Sequence, residues 1–280
     1  MNDLPDILRL SESGNRRYRA FQPSESAEGR DVVFSGQLLA QMIMASDAVA
    51  GGAKNVRSVH AIFARAGTYT KPMELEVDSM QVGRTWASDT VTATQDGRLL
   101  SRSLILLNTV DSDLMRHGPQ MPTDIPGPDE LAPEDGQAFP GAQLRSVPGD
   151  ATSDDGVPVE MVWHRFADKL GSNAANQAVL TWATCGNIIG LAMRPHRDHV
   201  DISDAHHTLS TGVIGHTIHF IERFDVSEWL LVVTSGDSAA AGRVYGSGSV
   251  FTGEGKLVAV FHQDAMAKAA AATLDPSRSM

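Results

Sequence analysis

Between residues 73 and 82 the chain alternates apolar with acidic positions, Met73, Leu75 and Val77 against Glu74, Glu76 and Asp78. A period of two is that of a strand buried on one face. The pattern predicts further strands over 86–95 and 99–108, joined across Gln95-Asp96-Gly97-Arg98, where Asp-Gly tolerates the positive φ of a tight hairpin. Ahead of these strands the period changes. Leu38, Leu39, Met42, Ile43 and Val49 recur at helical spacing over 36–50, interrupted only by Gln37, Gln41, Ser46 and Asp47, so this helix is expected to be enclosed by other structure. The second half repeats the plan. It predicts a strand near 159–163, an uncharged helix over 176–193, a loop rich in His and Asp, and strands over 213–220, 229–234, 243–252 and 257–263.

The two halves also echo each other in residues. His60-Ala61-Ile62-Phe63 followed by Pro72-Met73-Glu74-Leu75-Glu76-Val77 is matched, at the same separation, by His216-Thr217-Ile218-His219 followed by Glu228-Trp229-Leu230-Leu231-Val232-Val233. The hairpins Asp96-Gly97 and Glu254-Gly255 keep that spacing to within two residues. Such persistence implies two copies of one supersecondary unit paired about a pseudo-twofold axis, with the site expected between them. The boundaries read as an N-terminal unit over 1–110, a Pro/Gly-rich linker over 111–158 and a C-terminal unit over 159–280. Residues 117–158 hold eight of the thirteen prolines, which marks them as linker and not core.

At 280 residues and 42% hydrophobic, the chain can bury a sizeable core in each half. A net charge of −11 excludes a general binder of nucleic acid or of an anionic membrane, which needs a basic face. Residues 170–193 are uncharged, but Asn173, Asn176, Gln177, Thr181, Thr184, Asn187 and three glycines would be costly in lipid, so no membrane span is expected. The single cysteine, Cys185, has no partner for an internal disulfide. The first residues lack the basic and apolar regions of a secretory leader, and Arg278-Ser279-Met280 does not match the usual peroxisomal tripeptide; the expectation is cytoplasm.

Several segments carry a specific resemblance. Val33-Phe34-Ser35-Gly36-Gln37-Leu38-Leu39-Ala40-Gln41, Ser58-Val59-His60-Ala61-Ile62-Phe63-Ala64-Arg65-Ala66-Gly67 and Val82-Gly83-Arg84-Thr85-Trp86 are similar to the acyl-CoA thioesterase II family. So, in the second half, are Gly215-His216-Thr217-Ile218-His219-Phe220, Glu228-Trp229-Leu230-Leu231, Ala241-Gly242-Arg243 and Leu257-Val258-Ala259 leading to Gln263-Asp264. The likeness spans nearly the whole chain. It implies an α+β tandem (double) hotdog, each unit a central helix wrapped by an antiparallel sheet. It also implies an enzyme that hydrolyses acyl-CoA to free acid and CoA by direct water attack, without metal, cofactor or covalent intermediate. The family's catalytic set is an Asp on the second central helix, a Thr or Ser just before the strand carrying Asp-His-Ser, and a Gln late in the last strand. Gln263 matches the Gln, whereas Cys185 falls where the Asp would be, Val213 where the Thr would be, and Gly215 replaces the Asp of Asp-His-Ser. Gly36, Gln41, His60 and His216, drawn from the matched segments, are the substrate-binding candidates.

Thioester hydrolysis needs a positioned water, an acceptor for its proton and donors aimed at the developing oxyanion. An ordinary thiol is mostly protonated at pH 7 and a valine cannot hydrogen-bond, so hydrolysis by the family's usual route is expected to be weak. Cys185 reads as a nucleophile or, since no histidine adjoins it and its helix is apolar, as a buried inert thiol. Asp47 reads as a replacement carboxylate or a helix-end charge. Gln37 and Gln41 share a helix face and line a cleft or serve structure. His196, His199, His206 and His207 with Asp198, Asp201 and Asp204 lack metal-ligand spacing and read as a solvated loop. Asp201 and His206 stand at the spacing of the pair in hotdog enoyl hydratases, without the accompanying Asn-Pro. Neither a serine-hydrolase elbow nor a phosphate loop is present. Arg65, Lys71, Arg84 and Arg243 are candidates for the CoA phosphates or plain surface charges. Three functions follow from these readings: a thioesterase, a non-catalytic acyl-CoA binding protein of the same fold, and an enoyl-CoA hydratase-like enzyme. Unpaired edge strands make a homodimer or larger assembly the expected state.

Overall fold

A computed structural model of the chain describes residues 5–23, 31–109, 112–134, 141–149, 151–153, 155–202 and 205–270, without the side chains of Ala151, His206 and His207. In the first half, strands β1 (Leu10–Gly14) and β2 (Arg17–Ala20) precede helix α1 (Ser35–Ala50). Strands β3 (Asn55–Phe63), β4 (Met73–Val82), β5 (Trp86–Gln95) and β6 (Arg98–Asn108) follow. In the second half, β7 (Ala142–Ser146), β8 (Ala151–Thr152) and β9 (Pro158–Phe166) lead into α2 (Asn173–Thr184), α3 (Asn187–Met193) and the short α4 (Ala205–Thr208). Strands β10 (Leu209–Phe220), β11 (Leu230–Ala240), β12 (Arg243–Thr252) and β13 (Leu257–Ala269) complete it.

Apart from β8, which pairs with β9, the strands form one sheet in the order β1-β2-β4-β5-β6-β3-β10-β13-β12-β11-β9-β7. Read outward from the central β3/β10 pair, each half of that order mirrors the other. The helices lie on one face of the sheet. Leu38, Leu39, Met42 and Ile43 of α1 pack with Ala175, Val179 and Leu180 of α2 in a single core that takes in both halves. Because α1 is apolar almost all round, it is stable only when enclosed, and α2 and the strands of its own half enclose it. Gly51 at φ 63° closes α1 in the left-handed conformation that ends many helices.

Pairing between β3 and β10 is antiparallel, with His60 opposite Thr217 and Ala61 opposite His216. The ends of these strands fix the true equivalence. Ala64 and Arg65 N–H groups both donate to the Leu100 carbonyl, as Ile221 and Glu222 N–H groups both donate to that of Val258. Phe63 therefore corresponds to Phe220, and His60 to Thr217. The echo that matched His60 with His216 is one residue out of register, and one residue in a strand is a change of face. His60 is exposed on the outer surface of the sheet, whereas His216 is buried beneath the helices. The pseudo-twofold axis passes through the His60/Thr217 pair, where His60 Nδ1 and Thr217 Oγ1 lie 3.2 Å apart.

Two expectations are corrected and one element is added. The uncharged segment over 176–193 is not one helix, because Cys185 is extended (φ −91°, ψ 126°) and Gly186 takes φ 102°, so α2 stops and α3 restarts. Residues 111–158 do more than link. They supply β7 and β8 to the sheet, and Met121, Ile125, Leu131 and Val147 cover a second small core of Trp163, Leu231 and Phe251. The hairpin β1–β2 adds two strands the hydrophobic pattern did not announce. Among the described residues no helix is long and apolar enough to cross a membrane.

Candidate functional site

The two long helices run antiparallel. Near the start of α2, Asn173 and Gln177 donate to the Asn55 side chain and the Val56 carbonyl, just past the end of α1. At the other end α1 begins against the α2–α3 break. A Cβ on Gly36 would lie 3.0 Å from Cys185 Cβ and 3.0 Å from the Trp182 carbonyl oxygen, so only glycine lets the two backbones approach this closely. Phe34 packs against Trp182 at 6.0 Å between ring centroids. Phe34 is the cap residue and supplies no side-chain acceptor, so the first N–H groups of α1 have no intrahelical partner at this junction.

Gln263 on β13 reaches the same place. It is 1% exposed, and its Oε1 accepts from the Gly186 N–H at 2.8 Å. Its Nε2 is buried and makes no full hydrogen bond among the described residues. That anchor depends on the extended Cys185 (ψ 126°), which ends α2 and takes the Gly186 N–H out of the helical ladder, to be met by Gln263 from the sheet. Opposite Gln263 in the β10/β13 register stands His216, whose ring stacks on Phe261 at 5.9 Å. Residues directly opposite in a sheet share a face, so His216 and Gln263 both look toward the helices. Both ring nitrogens of His216 are buried without a full hydrogen bond, and the Gln263 carboxamide lies against the ring in looser geometry. Burial pushes the His216 pKa down to about 4, so the ring is neutral at pH 7.

Cys185 is buried at 2% exposure, and burial pushes its thiol up to about 12, with Ser35 beside it as a minor opposing influence. It is a protonated thiol, neither a base nor an activated nucleophile. Val213 lies opposite Ala265, one bulge along β10 from His216, and packs into the core. Gly36, Cys185, Gln263 and His216 thus converge, with Val213 at the margin.

Gln41 and His60 do not join them. The Gln41 amide donates to the Ile7 and Phe21 carbonyls at 2.9 and 2.7 Å and ties the N-terminal segment onto α1. His60 faces outward from the sheet, edge-on to His219 at 5.2 Å. Gln37 bonds Gln22 and Tyr69. Asp47 lies eleven residues along α1 from Gly36, about 16 Å at the helical rise, and burial raises its pKa. A buried carboxylate the sequence reading missed, Asp89, is closed off by Ser46 and Ser79 hydroxyls at 2.6 and 2.7 Å. The signal for it was an acid at an inward position of β5.

The pseudo-twofold axis carries His216 onto Val59 and Gln263 onto Ile105, themselves a register pair, both apolar and buried. The polar pair therefore exists once, not twice. Of the proposed CoA-binding cations, Lys71 is paired with Asp96 at 2.6 Å and Arg65 donates to the Leu99 carbonyl. Both lie on the segment whose Gly67 carbonyl accepts from Val33, two residues ahead of α1. Arg84 and Arg243 are exposed. Among the described residues no group of three or more His, Cys, Asp or Glu is placed to hold a metal. Asp204 lies outside the described residues, as do the side chains of His206 and His207. Surface depressions of about 580 and 400 Å³ occur beyond the end of α3, around residues 197–202 and beside the Arg194–Glu160 ion pair. The convergent side chains are not among their lining.

His216 and His164, the latter also pushed down to about 4 by burial, set an acid limit on stability. Unfolded histidine has a pKa near 6.5, so between pH 6.5 and 4 the unfolded chain binds protons that the native one refuses. Stability is full above that window and is lost as pH falls through it, by about 3 kcal/mol for each fully buried ring. Urea unfolding at pH 7 and pH 4.5 is expected to show this loss. His164→Gln should remove about half of the loss; an unchanged pH slope in that variant would contradict the assignment.

A helix-covered sheet doubled about an internal pseudo-twofold, with one polar pair buried where the helices meet, defines the chain as a double-hotdog protein. Its residues 118–267 match the model of the acyl-CoA thioesterase C-terminal domain and residues 22–110 that of the N-terminal domain. The chain belongs to the acyl-CoA thioesterase family. It is 22% identical over 287 residues to the acyl-CoA thioesterase 2 of Haemophilus influenzae, covering 95% of this chain and 97% of that one. Among solved structures it is similar to the acyl-CoA thioesterase II TesB2 of Mycobacterium marinum, with a TM-score of 0.82, 25% identity and coverage of 96% and 100%. It is likewise similar to the tesB protein of Mycobacterium avium subs paratuberculosis, with a TM-score of 0.79, 23% identity and coverage of 95% and 99%.

Proposed function

We propose that the chain hydrolyses acyl-CoA thioesters at the junction of α1 with the α2–α3 break. The observation that carries this reading is the Gln263 carboxamide, buried, fixed by the Gly186 N–H and with an Nε2 that makes no full hydrogen bond and has capacity to hold a water. The uncapped N–H groups that open α1 face the same junction and supply donors for the charge that develops on the thioester oxygen. An acyl chain entering here would lie between apolar helices. The thiol at Cys185 and the side chain at Val213 contribute no proton transfer, so turnover is slow compared with an enzyme that has a carboxylate and a hydroxyl at those positions.

The test is steady-state CoA release from short, medium and long acyl-CoAs, paired with calorimetry on the same compounds. Turnover of at least one chain length is expected. Binding without turnover would make the chain an acyl-CoA binding protein, and neither binding nor turnover would remove acyl-CoA altogether.

A further inference from the structure

With a protonated thiol at position 185 and valine at 213, the site needs another acceptor for the proton of the attacking water. The carboxylates do not provide it: Asp89 is closed by two serines, and Asp47 sits toward the far end of α1. Among the described residues, the group able to accept a proton that lies on the sheet under the helix junction beside Gln263 is His216. His216 stands directly opposite Gln263, on the same face, with both ring nitrogens buried and lacking a full hydrogen bond. Gln263 Nε2 is buried beside it and likewise makes no full hydrogen bond, the carboxamide touching the ring only in loose geometry. Between them the ring and the carboxamide have more buried donor and acceptor capacity than their loose mutual contact uses, and natural proteins rarely leave such groups incomplete unless a water or ligand completes them. A water there accepts a hydrogen bond from Gln263 Nε2 and donates one to the imidazole. The twofold-related pair, Val59 and Ile105, could do neither.

We propose that His216 is the catalytic proton acceptor of this chain, working on a water held by Gln263; the assignment rests on the thioesterase reading given above. In the first step the water oxygen bonds to the thioester carbonyl carbon while one of its protons passes to the ring nitrogen of His216, and the carbonyl electron pair moves onto oxygen. In the second the carbon–sulfur bond breaks, the oxygen's electron pair restores the carbonyl, and the imidazolium returns its proton to the departing sulfur. The products are the free acid and CoA thiol, and the ring ends neutral, as it began. Burial, together with His262 on the outer side of β13, disfavours a standing charge on the ring. His216 is therefore a weak base, consistent with a slow enzyme.

The experiment compares the parent with His216→Asn on whichever acyl-CoA the parent turns over best. The expected result is a fall in kcat of about a hundredfold to ten-thousandfold with KM little changed, and partial recovery of His216→Gly by added imidazole. A folded His216→Asn with parental kcat overturns the proposal while leaving the thioesterase reading intact. A parent that releases CoA from no acyl-CoA overturns both. Should His216→Asn not fold, His216→Gln and the parent's own pH profile decide. The expected profile has kcat/KM falling on the acid side more steeply than the folded fraction followed by circular dichroism over the same pH range, and a rate that only tracks the folded fraction counts against His216.

Discussion

Cys185→Asp combined with Val213→Thr is expected to raise kcat for acyl-CoA about a hundredfold or more, the range over which a positioned general base acts. The pair restores a proton acceptor at the α2–α3 break and a hydroxyl one bulge along β10 from His216, while Gln263 stays anchored on Gly186. Position 185 is 2% exposed, so the new carboxyl will titrate above the usual range, which weakens it as a standing anion but brings its pKa nearer to neutral pH. The same burial costs stability. Thermal melts must therefore accompany the kinetics, and each single substitution should gain much less than the pair because base and water positioning act as a unit. In the double variant, removal of His216 should matter less than in the parent, since the carboxylate takes over the proton. A double variant that melts like the parent, binds acyl-CoA as well and hydrolyses no faster would mean that 185 and 213 do not face the reacting carbon.

Gln263→Leu is expected to lower kcat/KM by about a hundredfold or more, the loss seen when one positioned donor is removed from a reaction centre. Two effects combine. The water loses its hydrogen-bond donor, and the Gly186 N–H loses its acceptor, which costs about 1–3 kcal/mol if the group stays buried and unpaired. The second effect loosens the break between α2 and α3, so stability falls along with the rate. Gln263→Glu separates the two, because it keeps an acceptor for Gly186 and discards the amide donor. A Leu variant with parental turnover would show that the water is held elsewhere.

The parts of the fold that follow a simple period were legible in the sequence. The strand Met73–Val82 ends at the residues where the alternation and its turn signals place it, because one face is buried and the other acidic. The α2–α3 break was hidden for the opposite reason. Every residue around it is uncharged, and the one clue, Gly186 inside a helical pattern, is also compatible with an intact helix. The hairpin Leu10–Ala20 was missed because an exposed edge needs no apolar stripe, and β7 because prolines on either side obscured a five-residue strand. In the site, Gln263 was legible through its flanking residues. Its partnership with His216 was not, because it depends on the β10/β13 register, and register is a property of the sheet. The same limit produced the false match of His60 with His216: similar letters one residue apart in phase lie on opposite sides of a strand.

The lone His216–Gln263 pair in a doubled fold has an evolutionary reading. In an assembly of two identical chains, every change near the axis is made twice, so a residue good for one centre and bad for its copy is averaged over both. A tandem polypeptide breaks that bond between the copies. The half carrying Val59 and Ile105 is free to give up reactive side chains for dense packing while still presenting the start of α1 to the junction, and the half carrying His216 and Gln263 can hold the buried polar side chains. One chain thus holds unlike residues at equivalent positions of its two halves, and the apolar twin position at Val59 and Ile105 is the natural place to graft a second chemistry.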